Sequence, residues 1–283
     1  MKIIKKSVAL ISLWAWLAPS PAAADDGAGR PQIQVGVKVW NSSWFSYLPG
    51  YYAGISPLGV PSVADSVDAI EGARKTTTLP VVGIRSGNFL LSASHARYES
   101  DFRSAHSSVL SPTGQNILTS RSDHLSRKES DLTAGYSLTP NIALTVGYKH
   151  ASEERDTSLG ITGTATTRSF EAKVKGLVFG VTANFPVRGG LGFYGLAGYG
   201  PARLETLLPG QNAAITSNGR YLISEIGLTY SLVITDAFVK GANVGLGYRS
   251  QTVKTDGVGP GFLDQRDYRD VKDGVTLSLT VAL

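Results

Sequence analysis

The sequence has no cysteine, and its single methionine is the first of 283 residues. Without cysteine there is no disulfide frame, no thiolate metal site and no cysteine nucleophile. Without an internal methionine the packed interior lacks the usual flexible gap-filler. Charge is scarce too, at 17% of residues against the ~25% of an average domain. Yet no stretch after the N-terminus approaches the ~18 unbroken apolar residues of a membrane helix. A helical membrane protein is therefore excluded, and 42% hydrophobic residues argue against disorder. Glycine, by contrast, is plentiful: 32 residues, about 11% where ~7% is usual.

The N-terminus predicts an export signal. Lys2, Lys5 and Lys6 precede an apolar run from Val8 to Leu17, and Ala22 and Ala24 offer small residues for cleavage after position 24. The run is too short to span ~30 Å of hydrocarbon. Residues 1–24 carry three lysines and no acid, so residues 25–283 hold 24 basic against 22 acidic side chains, a net charge of +2 rather than +5. That removes the main support for a nucleic-acid partner. The expected organisation is a cleaved signal peptide, 1–24, followed by one domain, 25–283.

From Gln32 onward the hydrophobic period is two. Ile33, Val35, Val37 and Val39 share one face, as do Leu132, Ala134, Tyr136 and Leu138, then Leu144, Val146 and Tyr148, and finally Val275, Leu277, Leu279 and Val281. Such alternation is the signature of a strand with two unlike faces. It predicts ten strands, at 32–41, 79–86, 89–102, 126–138, 142–152, 166–185, 191–205, 219–234, 237–251 and 268–283; eight and twelve stay open, because 42–78 could hold a further hairpin. Short connections (Gly87-Asn88, Thr139 to Asn141, Pro186 to Gly190, Thr235-Asp236) alternate with long ones (42–78, 103–125, 153–165, 206–218, 252–267). That asymmetry is expected of an outer-membrane barrel, with tight periplasmic turns and long external loops. A soluble barrel also alternates, but it must bury its apolar face inward. Here the opposite face reads Thr133, Gly135, Ser137, Ala143, Thr145, Gly147, Asn243, Gly245 and Gly247, too small and polar for a core, so the apolar face is expected to meet lipid. The fold class is all-β: a single transmembrane antiparallel up-and-down β-barrel. Tyr98, Tyr136, Tyr148, Tyr230 and Tyr248 fit interfacial girdles.

With these features, the export signal, the Gly-Tyr strand endings (135–136, 147–148, 247–248) and the amphipathic last strand, the chain resembles the small single-domain outer-membrane β-barrel proteins of Gram-negative bacteria. Those proteins usually end in Phe or Trp, where this chain has Leu283. The resemblance implies outer-membrane localisation. It also implies contact with outer-membrane lipid and lipopolysaccharide, and with periplasmic chaperones and the barrel-assembly machinery during biogenesis. The ligand, if any, is unknown.

Alternation assigns charges to the lumen: Lys38, Arg127, Glu129, Asp131, Lys149, Glu171, Lys173, Glu225, Arg249, Asp270 and Lys272. A three-residue turn centred on Pro140 sets Asp131 opposite Lys149, a cross-strand pair. Six cations and five anions make a mixed interior, expected to close by ion pairing rather than form a pore of one sign. Around 166–185 the apolar parity changes from Phe170, Ala172 and Val174 to Leu177, Phe179 and Val181, which predicts a bulge near Lys175-Gly176. The strands at 79–86, 89–102 and 191–205 are ambiguous in facing.

No catalytic residue, metal set or cofactor is expected. His150-Ala151-Ser152 is similar to the His-x-Ser element of the outer-membrane lipid A deacylases, but the following Asn-Ala is missing and Thr164 stands where an acid is required. Glu129-x-Asp131 with Asp123-His124 resembles the acid pairs of the omptin proteases; there, though, the acid and histidine are separated by one residue, and adjacent residues in a strand face apart. The remaining feature is the 42–78 loop, with Trp44, Phe45, Tyr47, Tyr51 and Tyr52. Disordered loops are poor in aromatics, so this one is expected to pack as a plug, a lid or a ligand surface. Three classes follow: a structural barrel or narrow, weakly selective pore; a surface binding protein using that loop; and a hydrolase, ranked last.

Overall fold

A computed structural model describes residues 31–47, 70–110, 116–161, 164–207, 213–234, 238–255 and 268–283. The export signal and most of the aromatic loop, including Tyr51 and Tyr52, lie outside these. Ten strands run in chain order: β1 (Gln32–Tyr47), β2 (Ile70–Ser86), β3 (Phe89–Leu110), β4 (Asn116–Thr139), β5 (Ile142–Ile161), β6 (Thr164–Arg188), β7 (Leu191–Leu207), β8 (Ile215–Val233), β9 (Gly241–Thr255) and β10 (Tyr268–Ala282). Each pairs antiparallel with its chain neighbours, and β1 pairs with β10, closing an up-and-down barrel.

The tight turns gather at one end. In the Gly189-Gly190 turn both residues have positive φ, 59° and 86°, the conformation that two-residue hairpins require and glycine supplies without strain. At the other end the strands outrun the expectation. Residues 103–110 and 116–125, read as a loop, continue β3 and β4, and 153–161 continues β5. These extensions are rich in Ser, Thr and charge, so no hydrophobic period marks them, although their backbone pairing is intact. The reverse holds after β8, where the turn is longer than Thr235-Asp236: β9 begins only at Gly241, and Phe238 is exposed outside the strands.

Outside, the barrel is apolar over its central belt. Val82, Ile84, Leu91, Leu132, Leu144, Phe179, Phe193, Leu222, Ile226, Leu246 and Leu277 are all exposed. So large a contiguous apolar surface has no stable place in water and is matched by hydrocarbon, while closure leaves no unpaired sheet edge within it. The chain is a transmembrane β-barrel.

A filled lumen as the candidate functional site

The side chains opposite that belt meet one another inside. Nine of the eleven charges expected in the lumen are buried there: Lys38, Arg127, Glu129, Asp131, Lys149, Glu225, Arg249, Asp270 and Lys272. Glu171 and Lys173 are not among them. The register between β5 and β6 runs unbroken from Ile142↔Ala183 to Ile161↔Thr164, so there is no bulge at Lys175-Gly176. Ala172 and Val174 therefore face inward with Val178, while Glu171 and Lys173 are exposed on the outside. The expected bulge assumed that every apolar residue faces lipid, and here apolar residues face both ways.

Most of the buried charges form one connected chain. Glu225 accepts from Lys38 (2.5 Å), Arg249 (3.2 Å), Tyr194 Oη (2.8 Å) and Thr276 (3.1 Å). Arg249 also donates to Gln251 Oε1 (3.2 Å), whose amide donates to Glu129 (2.8 Å). Glu129 in turn pairs with Lys149 (2.8 Å), and Lys149 reaches both oxygens of Asp131 at 2.6 Å. Asp131 and Lys149 are direct cross-strand partners in the sequence-derived register. Arg127 lies 3.5 Å from Glu129 and pairs closely with Asp270, which also accepts from the Trp44 indole at 2.7 Å. Among the described residues five buried cations thus face four buried anions, and Glu153, 3.9 Å from Arg127, is a fifth carboxylate at the margin.

Lys272 stands apart. Among the described residues its ammonium has no hydrogen-bond partner, and it sits 4.7 Å from the Trp40 ring centre, 5.9 Å from Trp44 and 2.8 Å from Tyr98. Three aromatic faces supply the attraction that an anion would otherwise give. Two corrections follow. Trp44 and Phe45 belong to β1 rather than to an external loop, because the alternation continues past Asn41 and keeps Ser42 and Trp44 facing in; Tyr47 ends the same strand. Tyr98 is no girdle residue: it is buried, edge-on to Trp40 at 6.4 Å.

The lumen is also more apolar than its glycines and threonines suggested. One cluster joins Trp40, Trp44, Leu79, Val81, Ala96, Tyr98 and Leu125. A second joins Val174, Val178, Leu196, Ala202, Leu204, Tyr221, Ile223 and Val253. Several of these lie on β2, β3 and β7, whose facing the sequence left ambiguous. A signal was present: Trp40 shares parity with Lys38, and Tyr221 and Ile223 with Glu225. Glycine makes the packing feasible. Gly227 and Gly247 face each other across β8 and β9, and a Cβ at either would run into the Tyr194 ring. Their absent side chains let Tyr194 lie across the floor and reach Glu225. Towards the tight-turn end, a cavity of about 120 Å³ opens beside Gly189-Gly190, lined by Asn184, Thr229 and Ser231. Small-molecule sites are typically ~300–1,000 Å³.

His150 and Ser152 face outward on β5, opposite Lys175 and Lys173 of β6. His124 faces outward as well and pairs with Asp101 of β3 at 2.6 Å, while Glu129 and Asp131 point into the lumen. The histidines and the acid pair considered for catalysis are thus on opposite sides of the wall. Among the described residues no group of three or more metal-ligating side chains comes together.

No protein-family model matches the chain, and no curated protein matches it. Solved structures do resemble it. The outer-membrane protease OmpT of Escherichia coli is 9% identical, with 92% of this chain and 99% of that one covered and a TM-score of 0.49. The translocator domain of the autotransporter NalP from Neisseria meningitidis is 12% identical over 93% and 92%, with a TM-score of 0.43. Neisserial surface protein A is 12% identical over 88% and 96%, with a TM-score of 0.35. At such identities the likeness concerns the barrel fold alone.

Proposed function

We propose that the protein is a structural barrel of the bacterial outer membrane, closed to solutes by its own side chains. The observation that carries this reading is the linked charge network with two apolar clusters filling the lumen, in which Lys38, Lys149 and Arg249 are wholly buried. A conducting pore needs water beside its charges and a lining of one dominant sign for selectivity. Here each buried acid is bound by a cation of another strand, and Lys272, which has no hydrogen-bond partner among the described residues, is enclosed by aromatic rings. The hydrolase reading draws little support from the same geometry. Asp131 is held through both oxygens by Lys149, and a carboxylate so committed inside a closed wall has no route to an external substrate. The surface-binding reading has lost Trp44 to the lumen, where it serves Asp270.

The test is conductance of the purified protein in planar lipid bilayers. The expected result is a flat baseline or rare small steps without preference for anions or cations. Large, stable, ion-selective steps from the intact protein would overturn the closed-lumen reading.

A further inference from the structure

Directly above the apolar belt, one side of the barrel carries a band of positive charge. On β3 and β4 the last apolar outward residues are Ala93 and Leu132, and the next positions out carry Arg97 and Lys128, each just beyond one polar neighbour. On β6 and β7 the last apolar outward residues are Leu177 and Pro201, followed at once by Lys175 and Arg203, with Lys173 one step further. On the opposite wall the matching outward positions hold Asn41 and Thr78, with Ser250 and Asp273. There the acid Asp273 is matched by the exposed Arg74, which donates to Ser43 (3.2 Å) directly across from Asp273, so no surplus of one sign builds up.

The band strains the sheet that carries it. Arg97 stands directly across from Lys128, and Lys175 directly across from Arg203. Like charges at directly opposed positions are destabilising. Internal relief is partial: Glu205 approaches Lys175 (2.7 Å) and Arg203 (3.7 Å), and Arg97 turns to Glu99 (2.7 Å). Lys128 and Lys173 make no ion pair among the described residues. Against Glu205 and Glu99 the five cations leave the two rows with a surplus of three positive charges at the upper margin of the hydrocarbon, with Glu171 exposed one outward position beyond Lys173.

We infer that this band binds the phosphorylated headgroup of a glycolipid in the outer leaflet. The acyl chains of such a lipid lie on the belt formed by Leu132, Tyr148, Leu177 and Tyr199, which brings its phosphates level with Arg97, Lys128 and Lys175. A phosphate between two opposed cations offsets their repulsion, and arginine adds bidentate hydrogen bonding. The occupant is a membrane lipid rather than a soluble anion because the charged rows border the apolar surface, directly on β6 and β7 and across one polar residue on β3 and β4. This inference rests on the outer-membrane residence proposed above, and not on the lumen being closed.

The experiment titrates the purified barrel, in neutral detergent micelles, with bis-phosphorylated lipid A, with the same glycolipid stripped of phosphate, and with inorganic phosphate. Native mass spectrometry counts the bound lipid. Saturable, salt-sensitive binding of the phosphorylated lipid is expected, and the triple variant R97Q/K128Q/K173Q should bind about a hundredfold more weakly, at the energy usual for one basic residue near an anionic lipid surface, taken three times. A strand-type circular dichroism spectrum shows that the variant folds; should it fail, K128Q alone is expected to lose about fivefold. Binding unchanged in the folded variant, equal binding of the dephosphorylated lipid, or displacement of the lipid by millimolar inorganic phosphate would overturn the inference. Conductance is not read, so a barrel that conducts yet binds lipid A defeats the earlier reading and leaves this one standing.

Discussion

Among the described residues five cations are buried inside this barrel and five stand along one stretch of its outer wall, and the two sets obey opposite rules. Inside, Lys38 and Arg249 are wholly buried and converge on the same carboxylate, Glu225. Outside, the side chains of Arg97 and Arg203 are more than half exposed and face other cations across the sheet. A charge withdrawn from water must be matched by a partner or it unfolds the protein, whereas an exposed one is screened and can stay unmatched. The lumen is therefore a closed electrostatic structure. The rim keeps its surplus charge available to something else.

That contrast breaks most sharply at Glu225. Replacing it with glutamine leaves the buried Lys38 and Arg249 together without their carboxylate, so unfolding in urea from detergent or vesicles should show a loss of about 3–5 kcal/mol. The second step down is Lys272, a buried cation held by aromatic rings instead of an acid. Methionine preserves the stem and the contact with rings while removing the cost of burying charge. Lys272→Met should thus leave stability within about 1 kcal/mol of wild type or raise it, and Lys38→Met should lower it clearly. Equal losses in both lysine variants would show that the aromatic cage does not distinguish Lys272.

How much of this could be read beforehand depended on whether a segment has two unlike faces. The ten strands, their antiparallel order and the Asp131–Lys149 register were legible because Val35, Leu144 or Leu277 alternate with small or polar residues. The strand extensions beyond Phe102 and Ser152 were not, since the residues there are mostly polar on both faces and the period vanishes. Nor was the apolar half of the lumen. Val174 and Leu196 look like lipid-facing residues, and only closure of the ring, which sets Val174 near Leu204 and Tyr221, reveals them as interior. Trp44 was misread for the same reason, since strand continuation and a loop are indistinguishable where glycine, serine and aromatics mix.

On the outer wall the effects are smaller. Lys128→Gln removes a cation that faces Arg97 and pairs with nothing described, so its stability should move by no more than about 0.5 kcal/mol, and upward if at all. Urea midpoints in neutral detergent check this. A loss of several kcal/mol would mean that the rim is structural, like the lumen, and would erase the distinction between the two sets.

The least effect belongs to Asp101, above the basic band, where it meets His124 at 2.6 Å and Lys75 at 3.5 Å. The hydrogen bond from His124, with the nearby Lys75 charge, holds its carboxyl below the ordinary value of 3.8. A depressed acid stabilises the fold fully above its unfolded value and loses that contribution as pH falls through the folded one. The window therefore lies below about pH 4, and solvent screening of so exposed a group keeps the contribution to a few tenths of a kcal/mol. Wild type and Asp101→Asn, compared by urea midpoint in detergent, should differ slightly at pH 6 and converge by pH 2.5, with wild type the more stable at the upper value. A difference that grows on acidification would reverse the sign and would mean that Asp101 serves the fold in its protonated form.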